Sequence, residues 1–343
     1  MKKKYYSIIL VFCIAFSACL KDTPDAWDNA NKLSLGIAIV DAEYNQSSDK
    51  LYLLSASYPY ELRIFNVNDN SFDKIRLNYP PNCISVVQNG KYAAVGHSNK
   101  ITYIDLITKS IKREFDVSAN IFDIVLYDST NIIANTNNTD SIYWINTNTG
   151  KLVLESFGTT YYPSPIKLHP KGNYILGLTP YFYYKLNIAN NKLVCLKSDS
   201  SNLNNLGFNF WFANNSSMIY SSFGGILLAG DSLTDKVNLI SRLSSNLQSY
   251  QIYSAVESKR NQKIYTATKY TNLKVNSLAC FDGVNYTLLN ILPLKNILYP
   301  LNGKTELAVA SPSYVFVNST NDKIIVVAVG GLSSWGLEVL DAK

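Results

Sequence analysis

The residues that most often carry catalysis or bind metals are scarce in this chain. Its 343 residues include two histidines, His97 and His169, whereas a histidine-based metal site or catalytic triad needs several converging partners. The sequence contains no HExxH, GxSxG or Walker motif and no acidic calcium loop. We therefore predict no catalytic residue, no metal and no cofactor. His169 precedes a Pro-Lys-Gly segment, which predicts a solvated turn residue.

Aromatic residues, in contrast, are concentrated in segments predicted to be loops. The candidate ligand-binding residues are His97 and eight aromatic residues, namely Tyr58, Tyr60, Tyr161, Tyr162, Tyr181, Tyr183, Tyr270 and Trp335. Exposing such rings is unfavourable unless they pack or bind, and a rim of Tyr and Trp is typical of surfaces that stack on sugars or grip peptides and proteins. The alternative is that the rings pack on neighbouring parts of the fold.

The cysteines fall into two groups. Cys13 and Cys19 lie in or just after an apolar N-terminal segment, whereas Cys83, Cys195 and Cys280 are single residues in apolar stretches, without a CxxC motif. A pair of the latter three could form a disulfide in an oxidising compartment. Buried free thiols are the favoured interpretation, because unpaired Cys behaves as a small apolar residue.

The first residues have the pattern of an export signal. Three lysines at positions 2–4 precede an apolar run over 6–16, which is too short for a bilayer that needs about 20 apolar residues. The following Phe16-Ser17-Ala18-Cys19 resembles a bacterial lipobox, although Phe replaces the usual Leu. We expect a lipoprotein signal peptide over 1–18 and a lipid anchor on Cys19. The alternative is an ordinary secretory signal with an incidental Cys.

Residues 19–31 are expected to form an acidic tether. The segment contains Asp22, Asp25 and Asp28 and resembles the export tether of Bacteroidetes surface lipoproteins. This resemblance implies an outer-membrane protein on the cell surface, with the periplasmic face as the alternative. Without the three leader lysines, 28 basic residues stand against 25 acidic ones, a net charge of +3. Because no basic block remains, no nucleic-acid partner is predicted.

The rest of the chain repeats one unit. Apolar marker runs begin at residues 51, 92, 132, 174, 218, 264 and 324, with successive separations of 41, 40, 42, 44, 46 and 60 residues. Units of about 40 to 45 residues with four strands are typical of a β-propeller blade. The sequence therefore predicts an all-β domain over 32–343 with seven four-stranded blades. Six or eight blades are the alternatives, since the later units are weaker and 293–312 is an insertion.

The chain ends predict how the ring closes. The last unit has three strand-like runs, and Lys32–Leu35 has the pattern of an unattached outer strand. Joining the two would remove an open sheet edge. In such a ring, the connections between second and third strands and between successive blades lie on one face. The aromatic candidates and His97 are predicted to gather there.

The repeat resembles the YVTN-type bacterial seven-bladed propellers. The segments over 101–115 and 142–157 carry the resemblance, each running from an apolar strand through a polar turn to an outer strand, although the literal Tyr-Val-Thr-Asn string is absent. The residues Asp105 and Thr108 are interpreted as turn residues. The resemblance implies the fold but no single function, because propellers include lyases, lactonases, dehydrogenases and binding platforms.

These observations favour a binding or scaffold module over an enzyme. We expect an outer-membrane-anchored propeller lipoprotein that presents its aromatic face to a glycan, a peptide or a partner protein. The alternative is a propeller enzyme of the lyase or lactonase kind. Such an enzyme would use His97 and a neighbouring carboxylate or Arg at the central channel.

Overall fold

The computed structural model describes residues 30–31, 34–55, 57–137, 141–156, 163–179, 182–189, 192–199, 206–213, 217–244, 250–270, 276–301, 304–331 and 334–342. Within these ranges the regular structure is β-sheet and no α-helix is present, as the sequence predicts. The same ranges also lack any helix with the length and apolar composition that crossing a bilayer requires.

Twenty-eight strands lie in the described residues. In chain order they are β1 (Ala30–Asn31), β2 (Ile39–Asn45), β3 (Lys50–Ser55), β4 (Glu61–Asn66), β5 (Ser71–Arg76), β6 (Pro81–Val86), β7 (Tyr92–Asp105), β8 (Ser110–Leu126), β9 (Asn131–Thr136), β10 (Ser141–Asn146), β11 (Leu152–Ser156), β12 (Ile166–Leu168), β13 (Ile175–Leu178), β14 (Phe182–Ala189), β15 (Lys192–Asp199), β16 (Phe210–Phe212), β17 (Met218–Ser221), β18 (Gly225–Leu228), β19 (Asn238–Arg242), β20 (Tyr250–Ser258), β21 (Lys263–Tyr270), β22 (Ser277–Asp282), β23 (Leu288–Leu292), β24 (Asn296–Leu301), β25 (Lys304–Ala308), β26 (Ser311–Val317), β27 (Lys323–Val329) and β28 (Trp335–Asp341).

The large sheets are antiparallel, and their strands follow one another in sequence order. Four sheets have four strands each, namely β2 to β5, β12 to β15, β16 to β19 and β20 to β23. A fifth sheet has six strands, β6 to β11, and a sixth has three, β26 to β28. A smaller sheet contains β1, β24 and β25. Short sequential connections of this kind are expected when each strand is followed by a tight turn.

The described chain therefore has six blade-forming sheets, where the sequence predicts seven four-stranded ones. The difference arises because two strands continue through positions where a turn or loop is predicted. Strand β7 runs on through residues 98–100, and β8 runs on through 117–120. The hydrogen-bonded ladder is thus unbroken from β6 to β11.

All seven marker runs contain a strand. Their apolar residues are buried on both sides; in β3 five of six residues are buried, and in β27 five of seven. Continuous apolar runs are what a strand needs when a neighbouring sheet covers each of its faces. Fully burying one Leu or Ile side chain contributes roughly 1.5 to 3 kcal/mol, so these strands contribute substantially to the core.

Tight turns between strands have the local chemistry that the sequence indicates. The carboxylate of Asp105 accepts hydrogen bonds from the backbone N–H groups of Ile107 (2.9 Å) and Thr108 (3.0 Å). In this turn, left-handed backbone follows at Lys109, with φ of 53°. The turn between β10 and β11 has left-handed backbone at Gly150, with φ of 73°. The interpretation of Asp105 and Thr108 as turn residues is confirmed, because this Asx-turn accounts for both.

Buried apolar side chains form seven clusters in the described part of the chain. Most join one sheet to the next; Ile64 of β4 and Ile104 of β7 share a cluster, for example. Another joins the first large sheet to the last, through Leu51 of β3 and Ile325 of β27. One cluster lies wholly within the six-stranded sheet. The sheets are thus packed face to face.

The N-terminal and C-terminal parts of the described chain lie side by side. Ser34 forms an antiparallel bridge with Gly336, and the N–H of Leu35 donates to the carbonyl of Trp335 at 2.8 Å. Residues 32–33 of the predicted closing strand lie outside the described residues. The predicted insertion folds as the hairpin β24–β25, and β1, at the end of the predicted tether, pairs in parallel with β24.

Candidate functional site

Every second connection between antiparallel strands lies at the same end of a sheet. The connections from β3 to β4 and from β5 to β6 therefore share one end with residues 98–100 of β7, where Asn99 has left-handed backbone with φ of 63°. We call this end the loop face. It contains three of the predicted ligand-binding residues, Tyr58, Tyr60 and His97.

Tyr58 is the most exposed large apolar or aromatic side chain in the described part of the chain, with 73% of its surface accessible. Its hydroxyl accepts a hydrogen bond from Nη2 of Arg76 at 2.7 Å, and the Arg76 guanidinium carbon lies 5.6 Å from the ring centre. The half-buried Tyr60 meets the Tyr58 ring edge-on, with 5.8 Å between ring centres. We call these three residues the Tyr58 platform.

A second aromatic–cation pair lies on the same face. The ammonium group of Lys100 is 5.1 Å from the ring centre of Tyr79, which is half-buried. Unlike Arg76, Lys100 is neutralised by an ion pair with Asp116. The ring of Tyr79 also contacts His97 edge-on, with 5.8 Å between ring centres. This pair is therefore more deeply embedded and less charged than the Tyr58 platform.

His97 lies beneath this surface, and both of its ring nitrogens are engaged. Nδ1 donates to the carbonyl of Pro80 at 3.0 Å, and Nε2 accepts from the hydroxyl of Thr102 at 2.9 Å. The tautomer follows from Pro80, because a carbonyl can only accept. Burial lowers the pKa of His97, so the neutral ring is favoured. In this arrangement neither ring nitrogen is available to a ligand, and a binding role for His97 stays a prediction.

Three more predicted residues lie inside the fold. Tyr183 is buried, and its hydroxyl accepts the backbone N–H of Val237 at 3.1 Å. Tyr270 is buried against Tyr250, with 5.9 Å between ring centres. Trp335 is half-buried and packs with the cluster between the first and last large sheets. These contacts match the alternative stated for the aromatic residues, that they pack on neighbouring parts of the fold.

The remaining predicted residues cannot be placed. Tyr161, Tyr162 and Tyr181 of the predicted binding surface, and the predicted lipid anchor Cys19, lie outside the described residues. Their roles stay predictions. Of the nine candidates for ligand binding, Tyr58 and Tyr60 are the two that the structure brings together with an exposed charge.

A group of half-buried carboxylates on the innermost strands was not predicted from the sequence. In β2, Asp41 accepts the N–H of Ile84 at 2.9 Å, and Glu43 accepts the N–H of Val86 at 2.8 Å. Two repeats later, Asp123 in β8 accepts the N–H of Ile166 at 2.8 Å. Each bond runs from one innermost strand to the next one. The carboxylates thereby satisfy backbone donors at sheet edges that have no further strand to pair with.

Burial raises the pKa of these carboxylates. That of Asp41 is raised to about 7 and that of Glu43 to about 8, and the pKa of Asp123 is raised as well. The main cause is removal of the charged form from water. The charge of Asp123 raises the Asp41 pKa further, whereas Lys167 lowers it. Because these side chains come from β2, β8 and β12 and affect one another, the innermost strands converge.

The repeat spacing was the signal that could have revealed this group. Asp41 and Asp123 occupy the same position in their units, two units apart, and Ser85 repeats the arrangement with an N–H bond from Leu126 at 3.0 Å. No group of His, Cys, Asp and Glu among the described residues is arranged to hold a metal ion. None of Cys83, Cys195 and Cys280 forms a disulfide within the described residues; Cys83 and Cys280 are buried, as predicted, whereas Cys195 is half-buried.

His169 is not the solvated turn residue that the sequence predicts. Its side chain is fully buried and stacks on Tyr174, with 4.7 Å between ring centres. The prediction is wrong because the neighbouring sheet covers the turn. Lys185, which sequence reasoning missed, is buried beside it and donates to the carbonyls of Ala229 (2.6 Å) and Ser232 (2.8 Å). Burial lowers the pKa of Lys185 to about 8.

Comparison with known proteins identifies the fold. No protein-family model and no curated protein sequence matches the chain. Among solved structures, it is similar to the β-propeller domain of Cps50 (Swd1) from Myceliophteria thermophila, with 10% identity and a TM-score of 0.66 over 90% of this chain and 98% of that one. It is also similar to hydrazine synthase from Kuenenia stuttgartiensis, with 12% identity and a TM-score of 0.63 over 91% and 97%. At these identities the likeness shows a β-propeller fold and nothing about function.

Proposed function

We propose that this β-propeller is a non-catalytic binding or scaffold module that presents its loop face to a glycan, a peptide or a partner protein. The observation that carries the proposal is the exposure of Tyr58 next to the guanidinium of Arg76. A large ring held in place by its neighbours loses little conformational entropy when a ligand covers it. Exposed aromatic and Arg side chains are also the groups that most often dominate binding energy.

The proposal is tested by screening a glycan array and a peptide array with the purified protein, followed by titration of the tightest ligand. Tyr58→Ala should weaken binding at least about tenfold, since one well-covered aromatic anchor contributes roughly 2 kcal/mol. Ile107→Ala is the matched control, because Ile107 is 70% exposed but lies in a turn at the opposite end of its sheet. Equal weakening by both substitutions, or none by Tyr58→Ala, contradicts the proposal.

The rival proposal is a propeller enzyme of the lyase or lactonase kind, with its site where the innermost strands converge. A pKa of about 7 for Asp41 and about 8 for Glu43 favours it, because groups that titrate near neutral pH can transfer protons. The binding module is preferred because both carboxylates already accept backbone N–H groups. Turnover of a polysaccharide or lactone that Asp41→Asn abolishes would establish the enzyme instead. A stoichiometric metal in the purified protein would also favour it.

We also propose that the chain is a lipoprotein of the Bacteroidetes type, anchored in the outer membrane through an acylated Cys19. The support is the lipobox-like sequence over 16–19 and the acidic segment that follows it. Labelling with a fatty-acid analogue should mark the wild type and fail to mark Cys19→Ser. Protease added to intact cells should digest the protein if it faces outward and spare it if it faces the periplasm.

Seven blades, as in the YVTN-type propellers, are proposed as the finer architecture. The residues that flank β7 pair with each other, since the N–H of Leu106 donates to the carbonyl of Lys91 at 2.9 Å, which supports a hairpin inside this strand. The cluster that contains Ile101 and Ile121 lies between the two halves of the six-stranded sheet. Other clusters lie between separate sheets, so this one supports two four-stranded blades within that sheet.

The same proposal has the N-terminal segment close the ring as the outer strand of the last blade. The Ser34 bridge to Gly336 supports this closure. An experimental density map should show seven blades around the axis with the N-terminal strand in the last one. A sixfold ring would contradict the proposal.

A further inference from the structure

Arg76 differs from the other cations around the Tyr58 platform. It is exposed and forms no ion pair within the described residues. By contrast, Arg63 and Lys74 both pair with Glu61, at 3.2 Å and 3.3 Å, and Lys100 pairs with Asp116. The platform thus combines an exposed ring with one cation that has no anionic partner.

The position of the Arg76 guanidinium is fixed by the aromatic ring. One of its nitrogens, Nη2, is held by the Tyr58 hydroxyl at 2.7 Å, and its central carbon lies 5.6 Å from the ring centre. A guanidinium has five N–H donors in a planar fork, so most remain for a ligand. That fork matches the two oxygens of a carboxylate and binds them more strongly than it binds neutral acceptors.

We propose that the Tyr58 platform binds a carboxylate-bearing saccharide, with a uronic acid ring stacked on Tyr58 and its carboxylate paired with Arg76. This inference rests on the proposed binding function and narrows its ligand class. The ring supplies an apolar, flat surface for the sugar, and the fixed guanidinium selects the charged sugar over its neutral counterpart.

An acidic peptide fits this surface less well. Peptides in extended form usually add to an open strand edge, through main-chain hydrogen bonds. Strand β5 is the outermost strand of its sheet, but it ends at Arg76, so a peptide added along its edge would lie beside residues 71–76 and reach the platform only at one end. The platform therefore offers one ring and one charge, which is suited to a single sugar residue.

The test is calorimetric titration of the wild-type protein with an oligogalacturonate, its methyl ester and a neutral hexose oligomer of the same length. We expect the acidic oligomer to bind at least about tenfold more tightly than its ester. Arg76→Gln should remove that preference, and Arg76→Lys should restore part of it, because an ammonium keeps the charge but lacks the fork. Lys74→Gln is the control, since Lys74 is exposed nearby but paired with Glu61.

The outcomes distinguish failure of this saccharide proposal from failure of the proposed binding function. If the acidic and esterified oligomers bind equally and Tyr58→Ala weakens both, the charge selectivity is refuted while the binding function stands. If an acidic peptide binds in a manner that depends on Arg76 and oligogalacturonate does not bind, the proposal of a saccharide ligand is refuted. If no saccharide or peptide binds in a manner that depends on Tyr58, the proposed function itself falls.

Discussion

The half-buried carboxylate of Asp41 should make the stability of this protein depend on pH in a direction opposite to that of a salt-bridged carboxylate. Its pKa is about 7 in the folded protein, against an ordinary value of 3.8. Between these values the folded state holds a proton that the unfolded state has released. The free energy of unfolding therefore falls as the pH rises from about 4 to about 7, and then stays constant.

The magnitude follows from the width of this interval. Each pH unit costs at most about 1.4 kcal/mol, so roughly three units give an upper limit of about 4 kcal/mol. Asp41 keeps some contact with solvent, and screening by that solvent reduces the expected loss to roughly 2 kcal/mol. Asp41→Asn should remove this pH-dependent loss, because an amide does not titrate in this range. Its one oxygen can replace only one of the two carboxylate oxygens that accept the N–H groups of Ile84 (2.9 Å) and Ala42 (2.8 Å), so a cost that does not depend on pH is also expected.

Urea unfolding at pH 5 and pH 8 measures the effect. From pH 5 to pH 8 the wild type should lose about 1 to 1.5 kcal/mol relative to Asp41→Asn, because about two of the three pH units of the loss lie in this interval. Asp41→Ala is the control: it leaves the N–H of Ile84 without its partner and should cost about 1 to 3 kcal/mol at pH 5. A wild type that becomes more stable from pH 5 to pH 8 relative to Asp41→Asn would refute the reasoning.

Three further predictions concern contacts between sheets. Lys185→Met should cost about 1 to 3 kcal/mol in chemical unfolding, because the carbonyls of Ala229 and Ser232 lose their donor. A loss below about 0.5 kcal/mol would contradict this prediction. Asp49→Asn should cost about 0.5 to 1.5 kcal/mol in the same assay, because the Asp49 carboxylate accepts charge-assisted hydrogen bonds from the N–H (2.8 Å) and hydroxyl (2.6 Å) of Ser319, which join the first and last large sheets. An unchanged unfolding midpoint would contradict this prediction. Burial lowers the pKa of His169, so the wild type should lose stability as the pH falls below about 6.5, and His169→Phe should not; parallel pH profiles for the two proteins would exclude this cause.

Much of the fold could be predicted from the sequence because one structural unit repeats. Each marker run is continuously apolar, and such a run is stable only between two covering sheets, which is how β3 and β27 lie. Polar turns such as that of Asp105 can be predicted because their hydrogen bonds join residues that are close in sequence. The number of hydrogen-bonded sheets was harder to predict, because the ladder continues through β8 where a loop is expected.

The candidate site was less predictable, because exposure is a tertiary property. The sequence places Tyr58 and Tyr183 equally in aromatic segments, yet Tyr58 is exposed while Tyr183 is buried under a backbone contact from Val237. Arg76 was missed, since it lies in another strand and meets Tyr58 only across the sheet. Asp41 was missed for a similar reason: its partner, Ile84, belongs to the next sheet.

The binding proposal is tested most directly by titrating the tightest array ligand into the wild type and into Tyr58→Ala. If the loop face is the binding surface, the substitution should raise the Kd at least about tenfold, equivalent to about 1.4 kcal/mol, while leaving the thermal midpoint unchanged because the Tyr58 side chain is 73% exposed. The same Kd for both proteins would contradict the proposal that this face is where the propeller binds.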